Sequence, residues 1–215
     1  MNLDSLTFHD VTLRDGNHAL RHQLTSSFVE SYCDLSAKSP TAVIEVGHGN
    51  GLGGSSFLVG ESLETDGQLL SAATNSLSHI RLGVHSIPGF STVDRDLKPA
   101  LEIGVSVFRI ASHVTEATIC EKQIEFISAT DRYAHGVLMM SHMVSPEELL
   151  AQARKLVSYG ASAVVVMDSA GAYRSRQVHE RISLLRDNLE VELGFHAHNN
   201  LGLAVNNAVA AIEAG

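Results

Sequence analysis

The sequence predicts an α/β protein of the (β/α)8 barrel type, with seven strand-helix units in its 215 residues and the eighth strand missing. Three observations predict it. Short β-branched runs recur along the chain, each followed by a longer segment with apolar residues at helical spacing. The runs are nearly continuous in apolar character rather than alternating, the pattern of parallel strands covered by helices. Residues that bear chemistry fall at the C-terminal end of almost every run. A barrel collects such residues at one mouth, whereas an open sheet offers only a crevice where strand order reverses.

Taken in order, the run 6–13 ends on Arg14 and Asp15, and the run 42–47 contains Glu45 and leads to His48. The run 80–87 carries His85, the run 105–111 carries Arg109 with His113 beyond it, and the run 134–140 leads to His142. The run 163–168 closes on Asp168 and Ser169, and the run 191–198 closes on His196 and His198. The helix after the fifth run has legible ends. Ser145 is an N-cap, Pro146 suits the first turn, Glu147 and Glu148 oppose the dipole, and Tyr159-Gly160 stops it. The last helix is expected over 202–214. The spacing of the runs puts an eighth strand just beyond Gly215, and a barrel short of one strand exposes two sheet edges. The expectation is therefore one catalytic barrel domain over 1–215, incomplete at its C-terminus, with the missing strand lost or supplied from elsewhere.

Composition sets the frame. The chain is 44% hydrophobic and 18% charged, and its net charge of −9 comes with only 15 scattered Lys and Arg. Nothing in that balance draws it to nucleic acid or an anionic membrane. No apolar stretch nears the ~20 residues of a membrane span, and Met1-Asn2-Leu3-Asp4 lacks the basic and apolar regions of a secretion signal. A soluble, cytoplasmic protein is expected. Cys33 and Cys120 lack CxxC spacing and read as reduced structural thiols.

The chemistry centres on His196-Ala197-His198. Side chains alternate faces along a strand, so the two imidazoles point the same way, and a carboxylate from another strand completes a three-ligand metal site. Asp15, at the end of the first run, becomes a neighbour when a barrel closes. Zinc accepts such a set, but the Asn199-Asn200 flank and the oxygen-rich surroundings suit manganese, cobalt or magnesium better. Arg14 is a candidate to pair with a substrate carboxylate or an enolate oxygen. His18, in the loop after Asp15, is a candidate general acid/base, with His22 competing for the role.

Lys38, Lys98, Lys122 and Lys155, the only lysines, all fall in expected helices or loops, which disfavours an imine mechanism. The glycine-rich stretch 47–56 follows a strand but lacks Gly-Lys-Ser/Thr and dinucleotide spacing. It reads as a mobile βα loop near the active site rather than a nucleotide cradle. Met139, Met140 and Met143 read as packing rather than a ligand set.

Five segments together resemble the 4-hydroxy-2-oxovalerate aldolase family: 12–23 with Thr-Leu-Arg-Asp-Gly-Asn-His, 45–57 with Glu-Val-Gly-His-Gly, 139–143, 168–172, and 196–201 with His-Ala-His-Asn-Asn-Leu. These are metal-dependent pyruvate aldolases, grouped with isopropylmalate synthase and hydroxymethylglutaryl-CoA lyase, and the resemblance runs essentially the whole chain. His18 favours the aldolase branch, because sister enzymes usually carry Glu-Gln or a similar pair after Arg-Asp-Gly.

The resemblance implies that Asp15, His196 and His198 hold a divalent metal, most often Mn2+, with Co2+ or Mg2+ as substitutes. It implies that Arg14 neutralises the pyruvate enolate and that His18 takes the proton from the C4 hydroxyl. Ser169 is implied as a substrate contact, alongside Arg14, Asp15 and His196. The expected partners are a small 2-keto acid and an aldehyde, in aromatic hydrocarbon catabolism. The family also has an eighth strand, a tyrosine lining the active site and a helical region that docks an acylating aldehyde dehydrogenase, none of which lies in these residues. Asn17 and Asn199 stand where serine and histidine are common. Two alternatives remain beside retro-aldol cleavage: a sister acyl-CoA condensing enzyme or lyase, and a non-catalytic metal-binding homologue.

Overall fold

A computed structural model describes residues 6–215, in which strands and helices alternate as expected. The chain divides into two units, one ending at Arg109 and the other running Ile110–Gly215.

The first unit contains β1 (Phe8–Asp10), α1 (Ser26–Ser36), β2 (Thr41–Glu45), α2 (Asp66–Ser76), β3 (Arg81–Ser86) and α3 (Lys98–Ile103). Its three strands pair in parallel, β1 on β2 and β2 on β3. β1 is shorter than the run 6–13 suggests, for a local reason. The Asp10 carboxylate accepts the amide of Thr12, and the amides of Arg14 and Asp15 both turn back onto the carbonyl of Val11. Those bonds give the backbone an alternative to the ladder and start the 3-10 turn Asp15–His18. Threonines cap the helices: Thr25 accepts the amide of Phe28, and Thr65 forms a reciprocal capping box with Gln68. The core is apolar and tight, with Val29, Cys33, Ile44, Leu69, Leu70, Ala73 and Val84 at or near zero exposure.

The strand β4 (Val107–His113) carries the chain from the first unit into the second. The second continues with α4 (Glu121–Ser128), β5 (Tyr133–Met139), α5 (Pro146–Ser158), β6 (Ala163–Asp168), α6 (Ser175–Arg186), β7 (Glu192–Ala197) and α7 (Ala204–Ala214). Here β5 pairs β6 and β6 pairs β7, again in parallel, the latter in unbroken register from Ala163 opposite Glu192 to Asp168 opposite Ala197. All six residues of β6 are buried, which is why that run shows no polar alternation.

The α5 ends are those expected. Ser145 Oγ accepts the amide of Glu148, Pro146 opens the first turn, and Gly160 supplies the positive φ (100°) that ends it. That helix buries Leu149, Leu150, Ala153 and Leu156, and each buried leucine contributes about 1.5–3 kcal/mol relative to exposure. Both cysteines are buried and free, and burial pushes each thiol up to about 11, consistent with unreactive packing thiols. No lysine lies on a strand: Lys38 follows α1, Lys98 opens α3, and Lys122 and Lys155 lie in α4 and α5.

Candidate active site

The first unit builds a charged cluster around Glu45, the last residue of β2. Its carboxylate is almost wholly buried and takes Arg14 Nε at 2.6 Å on Oε1 and Arg109 Nη1 at 2.8 Å on Oε2. Burial pushes this carboxyl up, but Arg109, Arg14 and His85 together outweigh that and hold it well below the usual carboxylate value. Arg14 follows β1 and is only 4% exposed. Its Nη1 reaches Asp15 Oδ1 at 2.7 Å and the carbonyl of Gly49 at 3.1 Å, while its buried Nη2 has no hydrogen-bond partner among the described residues. A buried, charged donor without an acceptor is costly unless something anionic arrives to meet it. The anchoring roles of Glu45 and Arg109 are not signalled by spacing, since they are 31 and 95 positions from Arg14 and meet it only through the fold.

Beside this cluster, Asn17 is buried and donates to the carbonyl of Gly47. His18 is exposed, whereas His22 and His48 are buried. The glycine-rich stretch is not an anion cradle, because its amides are already bonded. Gly49 donates to His22 Nδ1, Asn50 to His48 Nδ1, Gly51 to the carbonyl of His48, Leu52 to that of His85, Gly53 to Asp66 and Gly54 to the carbonyl of Gly51. The loop packs around histidines instead.

In the second unit His196 lies in β7 and His198 just past its end, with ring centroids 4.9 Å apart, so the same-face expectation from strand periodicity holds. His198 Nδ1 sits 3.0 Å from the carbonyl oxygen of Asp168. A carbonyl only accepts, so Nδ1 carries the proton and Nε2 keeps a lone pair, the arrangement that orients a metal-ligating imidazole. The Asp168 side chain itself is spent on structure, accepting the amides of Ala172 and Tyr173. Ser169 Oγ accepts the amide of Met140, which sits at φ 54°, and retains its own O–H as a donor. Among the described residues neither unit by itself gathers three metal-ligating side chains. The first supplies a carboxylate next to a guanidinium and the second an imidazole pair. Imidazole donors such as the second unit's pair suit a divalent ion of borderline hardness.

A family model described as HMGL-like matches residues 5–215. The chain belongs to the HMGL-like family. Membership agrees with the resemblance read from the Arg-Asp-Gly and His-Ala-His segments. Among curated proteins, this HMGL-like chain is 53% identical over 206 residues to a 4-hydroxy-2-oxovalerate aldolase of Pectobacterium atrosepticum, covering 96% of this chain and 60% of that protein. It is 49% identical to the protein of that name from Spirochaeta aurantia, covering 100% of this chain and 63% of the other. The chain thus spans about 60% of the length of these relatives.

Among solved structures, the N-terminal domain of a candidate aldolase from Bacteroides vulgatus matches with TM-score 0.83 at 23% identity, over 98% of this chain and 70% of that one. The carboxyl transferase domain of Rhizobium etli pyruvate carboxylase, with pyruvate and biocytin, matches with TM-score 0.82 at 16% identity, over 99% of this chain and 39% of that one. At these identities both speak to the fold alone, the α/β barrel type that HMGL-like proteins share.

Proposed function

We propose that this chain is the metal- and substrate-binding part of an enzyme that cleaves 4-hydroxy-2-oxoacids, such as 4-hydroxy-2-oxovalerate, to pyruvate and an aldehyde. The observation that carries the reading is the buried Arg14 guanidinium, clamped at Nε by Glu45 and left beside Asp15 with no partner for Nη2 among the described residues. Such a group is built to meet an oxyanion. The identity of about 50% to proteins named for this activity supports the same reading.

In the proposed site Asp15, His196 and His198 hold a divalent cation, Mn2+ by preference over Co2+ or Mg2+. When bound, the cation supplies Lewis-acid polarisation of the 2-keto acid's carbonyl and carboxylate oxygens. Arg14 offers Nη2 to the C2 oxygen as it gains charge. His18 accepts the proton of the C4 hydroxyl, the C3–C4 bond breaks, its electrons pass into the enolate of pyruvate, and C4 leaves as the aldehyde. The enolate is then protonated at C3 from solvent, and His18 returns the proton it took to solvent. Ser169 uses its remaining O–H to orient the substrate. A small 2-keto acid and an aldehyde are the partners on this reading, and the setting is the cytoplasm; no helix among the described residues is long and apolar enough to cross a membrane.

The test is direct. Incubation of the Mn2+-loaded protein with 4-hydroxy-2-oxovalerate is expected to release pyruvate and acetaldehyde, to stop after chelation and to resume on adding Mn2+. Turnover of acetyl-CoA with a 2-keto acid instead, or cleavage that survives EDTA, contradicts the proposal.

A further inference from the structure

Three imidazoles of the first unit stand together: His18 and His22 meet edge to face with centroids 5.1 Å apart, His22 and His48 stack at 3.7 Å with planes 18° apart, and His18 lies 6.4 Å from His48. Each ring abuts a glycine of the loops. A Cβ on Gly49 would stand 2.5 Å from His18 Cε1, one on Gly54 2.6 Å from His48 Nδ1, and one on Gly60 2.6 Å from His22 Cδ2.

The two inner rings are also fixed by the backbone. His22 Nδ1 accepts the amide of Gly49, and His48 Nδ1 accepts that of Asn50. His48 Nε2 lies 3.0 Å from the carbonyl of Gly60, so that nitrogen carries the proton. His22 holds φ at 60° and Arg21 before it φ at 53°, a left-handed pair that L residues adopt only at a cost. That turn brings His22 under the loop, where its amide bonds the carbonyl of Asn17. Burial first, and the neighbouring imidazoles second, lower both His22 and His48 below the ordinary histidine value, so the stack stays uncharged near neutral pH. His18 is the exposed member, resting on a neutral, locked wall.

We propose that His22, His48 and Gly49 are positioning residues: the stacked pair and the bare glycine face fix the ring of His18, without themselves touching substrate. The inference rests on the reading of His18 as the group that takes the C4 hydroxyl proton. It also separates His22 from that role, since its Nδ1 is committed to the loop.

The test uses the Mn2+-loaded protein and two reactions. Cleavage of 4-hydroxy-2-oxovalerate needs the proton acceptor at C4; exchange of the methyl protons of pyruvate in D2O passes through the enolate and needs no transfer at C4. Gly49→Ala forces the His18 ring aside and is expected to lower kcat for cleavage about 100-fold, as a displacement near 1 Å does, with KM within about twofold and exchange retained. His22→Phe keeps a stacked ring but orphans the Gly49 amide, and is expected to lose cleavage about 10-fold while exchange persists. His22→Asn restores an acceptor at the Nδ1 position, in a residue that tolerates positive φ, and is expected to recover most of that loss.

Unchanged cleavage in Gly49→Ala, equal loss of cleavage and exchange in it, or equal loss in His22→Phe and His22→Asn overturns the positioning role while leaving the proposed reaction standing. A wild-type protein that performs neither reaction overturns the proposed reaction, and the inference with it.

Discussion

Replacing Glu45 by glutamine separates the electrostatic account of the first unit from a purely steric one. The substitution keeps the side chain's shape but removes the one negative charge between two guanidiniums, bonded at 2.6 and 2.8 Å with all three side chains no more than 5% exposed. Breaking a buried ion pair by removing one partner costs about 3–5 kcal/mol, and the amide oxygen retained by glutamine places the expectation at the lower end, about 3 kcal/mol. For a chain of this size each kcal/mol moves the melting temperature by roughly 2–4 °C, so a fall of about 6–12 °C is expected.

The sign with pH follows from the depressed folded-state value of Glu45. Its stabilisation is fully present above the unfolded carboxylate value of about 4.5 and is lost as pH falls below it toward the folded value. Urea unfolding of wild type and Glu45→Gln from pH 7.5 to 3.5 should show a constant gap that narrows only at the acid end. A gap under about 1 kcal/mol at pH 7, or one that does not narrow in acid, refutes the reasoning.

The remaining predictions concern acid stability, the roles of the histidines and a helix cap. His9 is lowered to about 4 by burial, then by Arg109 and Arg81 against the opposing Glu45, so the fold favours its neutral form and loses stability as pH drops from 6.5 toward 4. His9→Gln should flatten that part of the pH–stability curve, by up to roughly 3 kcal/mol, and an unchanged slope argues against a partly buried neutral imidazole. His198→Ala should lose bound Mn2+ and turnover with little change in circular dichroism, whereas His18→Ala should lose turnover and keep Mn2+. The reverse pattern means those roles are exchanged. Ser145→Ala should cost about 1 kcal/mol in urea unfolding by removing the cap on α5.

The fold was legible wherever local chemistry and tertiary demand agreed. The run 163–168 became β6 to the residue, because a parallel strand buried on both faces is apolar throughout, and the run 191–198 became β7 to within one residue at each end although none of that strand's residues is fully buried. The ends of α5 were legible because cap, proline and stop glycine each act within a turn. The first strand was overextended because the competing side-chain bond from Asp10 to Thr12 is a choice of geometry, not of hydrophobicity. The irregular turn Val93–Leu97 ahead of α3 carried no periodic signal at all. In the candidate site, the pairing of His196 with His198 follows from two-residue periodicity and was visible at once. The clamp of Glu45 on Arg14 and Arg109 was not, since residues so far apart in sequence meet only once β2 and β4 are in place. Nothing in the spacing of the glycine-rich stretch signalled that Gly49 and Gly54, with Gly60 beyond it, leave room for three imidazoles.

Titration of the chelator-stripped protein with Mn2+, followed by electron paramagnetic resonance, tests most directly the claim that Asp15, His196 and His198 hold one cation. One tight site per chain is expected in the wild type and in His18→Ala, and no such site in Asp15→Asn, His196→Ala or His198→Ala. Full Mn2+ binding by any of those last three variants contradicts it.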